Sequence, residues 1–251
     1  MKAATMNSVA IVTGAGTGIG RATAELLAES EGRLVLVGRR QGMLEETAEI
    51  AAAAGAEALI VSCDLTEPAS PELIVRQTLE RFGEVHVLVN NAGVPGEGVQ
   101  LHEVRDDLWG EILDTNLTAQ FRMCRAVLPS FTQQGSGVIV NVSSTAAQVA
   151  MTRMAAYSTA KAGLVALTRA IANDYGSKGV RCNALCPGPT RTPMTANVMD
   201  QPDRHEALIR GIPVGRVAEP AEIARAIVML CGETSSYMNG AVLTVDGGQS
   251  I

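Results

Sequence analysis

Tyr157 and Lys161 stand four residues apart in Tyr157-Ser158-Thr159-Ala160-Lys161, so on a helix the phenol and the ammonium share a face. An ammonium beside a phenol favours the phenolate and lowers an intrinsic pKa of about 10 toward working pH. A phenol poised in this way can exchange a proton with a carbonyl or alcohol oxygen. Alone, the pair would be an ordinary amphipathic contact. Its weight comes from what accompanies it. Ser143 and Ser144 close an apolar run upstream, and near the start of the chain lies Val12-Thr13-Gly14-Ala15-Gly16-Thr17-Gly18-Ile19-Gly20, followed by apolar positions Ala22, Ala24, Leu26 and Leu27 with helical spacing. Glycines at 14, 18 and 20 put backbone N–H groups and a helix N-terminus where a pyrophosphate could bind. Their GxxxGxG spacing is neither that of the GxGxxG fingerprint nor that of a lysine-containing P-loop, and a glycine-lined turn that serves packing alone is the plainer alternative.

These residues need a scaffold, and the apolar pattern supplies one. Short apolar runs, all but the sixth carrying Val or Ile, recur at Ser8–Val12, Arg33–Val37, Ala58–Cys63, Val85–Val89, Val138–Val142, Arg181–Cys186 and Ala241–Val245. Continuous rather than alternating apolarity predicts burial on both faces. Between the runs lie helical spacings, such as Trp109, Ile112, Leu113, Asn116, Leu117, Phe121, Cys124, Leu128 and Phe131, which predict one long helix from about Arg105 to Phe131. Strand and helix alternate without a composition break, which predicts an α/β fold: one domain over residues 1–251, a doubly wound parallel sheet of about seven strands with helices on both faces. One segment resists the alternation. From Pro187 to Pro220 six prolines interrupt a polar stretch that leaves the carboxyl end of a strand, where open sheets bind ligands, and it reads as a substrate lid over about 187–220. An irregular surface excursion with one helix of its own is the alternative.

Further motifs stand at the other strand ends: Asn90-Asn91-Ala92-Gly93 after the fourth, Pro187-Gly188 after the sixth, and Val245-Asp246-Gly247-Gly248 after the seventh. With the glycine loop, the serines and the YxxxK pair, they make the whole chain resemble the short-chain dehydrogenase/reductase family in its classical form, a Rossmann-type fold. The resemblance implies an oxidoreductase that moves a hydride between a nicotinamide and a carbonyl or secondary alcohol. It implies that Tyr157 is the proton donor, that Lys161 also grips the nicotinamide ribose, and that Ser144 hydrogen-bonds the reacting oxygen, since the family serine stands thirteen residues before the tyrosine. Ser143 is then a structural hydroxyl at the strand end. Asn116 would anchor a water linking Lys161 to solvent; its plainer reading is a helix-interior amide satisfied by backbone. Cofactor contacts are implied at Gly14, Thr17, Gly18, Ile19, Gly20, Asn91, Ala92, Gly93, Pro187 and Gly188, with Asp64 at the adenine and Thr192 at the nicotinamide amide.

The second strand ends in Gly38-Arg39-Arg40, where NAD-selective members carry an acidic residue for the ribose 2′-hydroxyl. Arg39 suits a 2′-phosphate, so NADP is the expected cofactor and NAD the alternative. Thr17 stands where many NADP-selective members have a second basic residue.

Composition narrows the partners. An aromatic content of 3% and a net charge of −6 fit neither a base-stacking nucleic-acid surface nor an anionic membrane. The longest uncharged stretch, Ala126 to Thr152, holds Pro129, Gln133, Gln134 and Asn141 and does not read as a membrane span. Lys2 is followed by only a short apolar run, so a secretory signal is not expected and the cytoplasm is. Five widely spaced cysteines and three scattered histidines predict reduced, mostly buried thiols and no metal site. The expected partner is a small carbonyl or alcohol, and the expected assembly, by resemblance, is a homotetramer. A 3-oxoacyl carrier-protein reductase is the general type most resembled, but Phe131-Thr132-Gln133-Gln134-Gly135-Ser136-Gly137 and Ala172-Asn173-Asp174 lack the basic residues an acidic carrier protein would meet. A free ketone, received against the lid's Met194, Met199, Leu208 and Ile209, is the expected substrate. A regulator that binds a dinucleotide without turnover is the competing class.

Overall fold

The computed structural model describes residues 8–30 and 32–251; the reading at Lys2 lies outside them. Among the described residues seven parallel strands form one sheet in the order β3-β2-β1-β4-β5-β6-β7: Val9–Thr13, Arg33–Gly38, Glu57–Ser62, Val87–Asn90, Gly137–Val142, Val180–Pro187 and Val242–Val245 for β1 to β7. All seven lie within two residues of the expected runs. The order reverses between β1 and β4, which opens a crevice beyond their carboxyl ends, the usual ligand site of such sheets.

Side chains alternate along each strand, and the two faces have separate cores. Val9, Ile11, Val35, Leu88 and Ile139 face one layer, with Ile74 of α3 (Ser70–Phe82) and Met123, Val127 and Phe131 of α5 (Ala119–Gln134). Ala10, Val12, Leu36, Val89 and Val140 face the other, with Leu27 of α1 (Gly18–Ala28), Leu44 of α2 (Gln41–Ala53) and Ile223 and Ile227 of α9 (Pro220–Cys231). Burial on both faces holds for β1 and β4 but not for the edges: β7 is half-buried along its whole length and β3 is exposed at both ends, because an outermost strand has a neighbour on one side only. Cys124, Cys182, Cys186 and Cys231 are buried and Cys63 half-buried, all as free thiols.

The long helix between β4 and β5 is not uniform. It runs as α4 (Asp106–Leu113), a π turn over Asp114–Thr118, then α5, with Ala119 N donating to Asp114 O across the wider turn. The extra residue in that turn rotates Asn116 into the interior, where it is fully buried. After α6 (Ala155–Tyr175) and β6, the proline-interrupted segment carries two helices rather than one, α7 (Ala196–Met199) and α8 (Pro202–Arg210). A parallel bridge between Thr190 and Ala218 closes its base. Among the described residues no helix is long and apolar enough to cross a membrane.

Candidate active site

At the end of β1 the buried Thr13 hydroxyl accepts from Asn91 N (2.9 Å) and Ala92 N (3.0 Å) and donates to Val89 O (3.3 Å), joining the carboxyl ends of β1 and β4. Asn91 Nδ2 adds a bond to Thr13 O at 2.9 Å. The glycine loop turns on that anchor. Gly14 has φ +67°, and a Cβ on Gly20 would collide with Gly14 O, so the loop can fold over the start of α1 only without side chains there. α1 then begins at Gly18, just beyond the carboxyl end of β1, with no side-chain cap hydrogen bond from Thr17, and a helix N-terminus is an arrangement that can bind a phosphate. Ile19 packs half-buried beneath it. Thr192 overhangs the loop, its Cγ2 being 3.0 Å from where a Cβ of Gly18 would stand. Arg21, which sequence reasoning passed over, clamps the loop to α2 through bonds to Gly16 O (3.0 Å), Met43 O (3.3 Å) and Glu46 (2.8 Å).

Beyond β2 both arginines are exposed. Arg40 Nη2 lies 3.5 Å from Thr17 Oγ1, so the charge Thr17 lacks comes from a residue 23 positions away. Asp64 holds Thr66 N (2.9 Å) and Thr66 Oγ1 (2.7 Å) on one carboxylate oxygen; these bonds, and then the nearby Arg39, keep its pKa below the ordinary value.

The catalytic candidates gather at the ends of β5 and β6. Ser143 N donates to Leu185 O (2.7 Å) and its buried hydroxyl to Lys161 O (2.9 Å), leaving Ser144 as the serine that faces the Tyr157 phenol. Ser144 Oγ is held by Ala146 N at 3.1 Å. Lys161, 4% exposed, donates from Nζ to Val142 O (2.9 Å) and sits 5.7 Å from the centre of the Tyr157 ring. A Cβ on Gly93 would stand 2.7 Å from Asn116 Oδ1 and 3.8 Å from Lys161 Nζ, so these three residues meet at one point. The Asn116 amide is spoken for: Oδ1 accepts from Val94 N (3.2 Å) and Nδ2 donates to Ile112 O (3.0 Å). Gly188, after Pro187, packs directly on Asp246, which leaves no room for a side chain.

A family model described as enoyl-(acyl carrier protein) reductase matches residues 14–250. The chain belongs to the short-chain dehydrogenase/reductase family. It is therefore an NAD(P)-dependent oxidoreductase. The 2-(R)-hydroxypropyl-CoM dehydrogenase of Xanthobacter autotrophicus is 39% identical over 245 residues, covering 96% of this chain and 98% of the relative. The 3-oxoacyl-(acyl carrier protein) reductase of Vibrio cholerae is 34% identical over 240 residues, 96% of each chain. Among solved structures, an actinorhodin polyketide ketoreductase variant with NADPH matches at TM-score 0.93 and 34% identity, over 98% of this chain and 99% of the other.

One electrostatic expectation for this member of the short-chain dehydrogenase/reductase family is corrected. The sequence predicts an ammonium that lowers the Tyr157 pKa, whereas among the protein's own groups burial raises the phenol above its ordinary value, offset in part by the Ser144 hydroxyl. Burial also lowers Lys161 to about 8. Loss of hydration outweighs the pairing because Nζ addresses the ring and the Val142 carbonyl. Cys186, buried at the end of β6, interacts with both groups and is held by Ser143 and the Ser144 backbone. Neither Cys186 nor Glu97, whose carboxylate accepts from Ala156 N and Tyr157 N, had a signal in the sequence: each is one residue of a common type until the fold brings it to the tyrosine.

Proposed function

We propose that this protein is an NADP-dependent ketone reductase that runs reversibly on the matching secondary alcohols. The observation that carries this reading is the convergence of Ser144, Tyr157, Lys161 and Asn116 beside a glycine cradle whose far end bears Arg39 and Arg40. The cradle suits a dinucleotide: Gly14, Gly18 and Gly20 leave a surface that side chains would fill, and α1 begins there. Gly14, Thr17, Gly18, Ile19 and Gly20 would hold the pyrophosphate, Asn91, Ala92, Gly93, Pro187, Gly188 and Thr192 the nicotinamide half, and Asp64 the adenine. A 2′-phosphate would be met by Arg39, with Arg40 behind it. When bound, the dinucleotide supplies or takes up the hydride.

The chain's own residues do the rest. Ser144 holds the carbonyl oxygen by a hydrogen bond, and Tyr157 gives that oxygen a proton as negative charge develops on it. Lys161 positions the ribose and replenishes the proton; because the Asn116 amide is taken up by Val94 N and Ile112 O, the water that leads outward would be held by the Asn116 main-chain carbonyl in the π turn. The segment over 187–220 closes on the substrate as a lid, with Thr192 tying it to the glycine loop. Relatives of both reaction directions support this reading: a hydroxypropyl dehydrogenase on one side, oxoacyl and polyketide reductases on the other.

The test is NADPH oxidation against a panel of ketones, together with NADP reduction by secondary alcohols. Turnover of at least one free ketone is expected. Nucleotide binding without turnover in either direction would overturn the reading in favour of a dinucleotide-binding regulator.

A further inference from the structure

Nothing on the catalytic helix caps its own start. The side chain of Met154, which precedes α6, makes no cap hydrogen bond, and the first turn of any helix has N–H groups with no partner inside it. Two of these, on Ala156 and Tyr157, donate to the two carboxylate oxygens of Glu97 at 2.7 Å and 3.3 Å, from a loop about 60 residues earlier in the chain. The same loop makes a second tie, from Gly98 N to Arg153 O at 3.0 Å. Arg153 adopts left-handed backbone, φ +61°, and is the one non-glycine to do so among the described residues. Such backbone persists where its surroundings over-determine it. A third contact is steric: a Cβ on Gly96 would lie 3.2 Å from Met154 Cγ and 3.3 Å from Tyr157 Cβ, so the loop sits against the helix with no space between. At its other end this loop continues from Asn91-Ala92-Gly93, with Val94 N held by Asn116.

We propose that Glu97 is a positioning residue for Tyr157. Its carboxylate replaces the missing cap and, through the first turn of α6, sets where the phenol stands relative to the turn at Asn91–Gly93. A carboxylate suits that place twice over, through charge-assisted bonds and through the helix dipole. One of the two N–H groups it holds belongs to the tyrosine itself. This inference rests on the reading of Tyr157 as proton donor.

The experiment measures single-turnover ketone reduction, NADPH Kd by fluorescence titration, and Tm for Glu97→Ala and Glu97→Gln, each in the wild type and in Tyr157→Phe. Glu97→Ala should slow the chemical step about 10- to 100-fold, the scale of a misplaced reacting group, with NADPH Kd changed less than about threefold. Glu97→Gln keeps one acceptor oxygen at the helix end and should recover part of the rate. In the Tyr157→Phe background Glu97→Ala should cost less than about threefold, because the group it positions is gone. The same fold-loss in both backgrounds, or an unchanged rate with only a lower Tm, would assign Glu97 a purely structural role and overturn the proposal. If Glu97→Ala does not fold, Glu97→Gln in the two backgrounds decides, with a loss confined to the tyrosine background expected. Wild-type turnover by Tyr157→Phe alone would instead remove the reading of Tyr157 beneath the proposal, and is visible without any Glu97 variant.

Discussion

The guanidinium of Arg40 lies 3.5 Å from the hydroxyl of Thr17, so the end of β2 and the glycine loop share one positive edge. A pyrophosphate cradle at that loop, as proposed, would treat NAD and NADP alike, and discrimination would fall to whatever meets the adenosine ribose. Gly38 has no carboxylate to repel a 2′-phosphate, and on the proposed reading Arg39 and Arg40 would attract one. Charge-assisted bonds of this kind imply a preference for NADPH over NADH of roughly 10- to 100-fold in kcat/KM. Gly38→Asp with Arg39→Leu should reverse it, and Arg40→Ala should reduce it. Steady-state kinetics with both nucleotides check this; equal values in the wild type would show that neither arginine reaches the phosphate.

As the proposed proton donor, Tyr157 would act on charge that develops only in the transition state, so its hydroxyl should matter to rate far more than to binding. Tyr157→Phe should lower kcat by at least about 100-fold while NADPH still binds. Stopped-flow reduction and nucleotide titration of the same preparation separate the two.

Lys161 gives a stability signature with a definite sign. Burial depresses its pKa from 10.5 to about 8, so the fold disfavours the ammonium. Below about pH 8 both folded and unfolded chains carry that proton and the cost is fully present; between about 8 and 10.5 the unfolded chain binds more protons, and stability rises with pH. The total swing is about 3 kcal/mol. Lys161→Met lacks this titration, so its stability relative to wild type should be highest at pH 7 and fall as pH climbs past 8. Urea unfolding of both proteins at pH 7, 8, 9 and 10 measures it. A difference constant with pH would mean that Lys161 titrates alike in both states.

Assembly is expected to be tetrameric, through the helix that ends at Gln134, the helix of Tyr157, and the C-terminal segment. An apolar groove of about 640 Å³ lies between α5 and α6, lined by Phe121, Leu128, Leu167, Ile171 and Tyr175, with Phe121 41% exposed. Such a face suits a second copy of itself packed about a two-fold axis. Light scattering at micromolar concentration should give four times the chain mass, and Leu167→Arg should lower it. A monomeric mass for the wild type would refute the assembly.

Local composition and spacing made a large part of this legible. Short apolar runs marked all seven strands, six of them carrying Val or Ile, because β-branched side chains suit the pleated surface of a sheet, and the motifs after those strands marked the crevice because open sheets bind ligands at carboxyl ends. Tyr157 and Lys161 were legible because four residues make about one helical turn. What the sequence left open depends on groups far apart in the chain coming within a few ångströms. Arg40 reaching Thr17, Glu97 capping the helix of Tyr157, and the π turn that buries Asn116 against Gly93 have no local pattern, since their energies come from contacts that exist only once the sheet has closed. The direction of the Tyr157 shift belongs with them. Spacing places a charge beside a phenol, but hydration decides which form is favoured, and only the packed structure determines how much water is left.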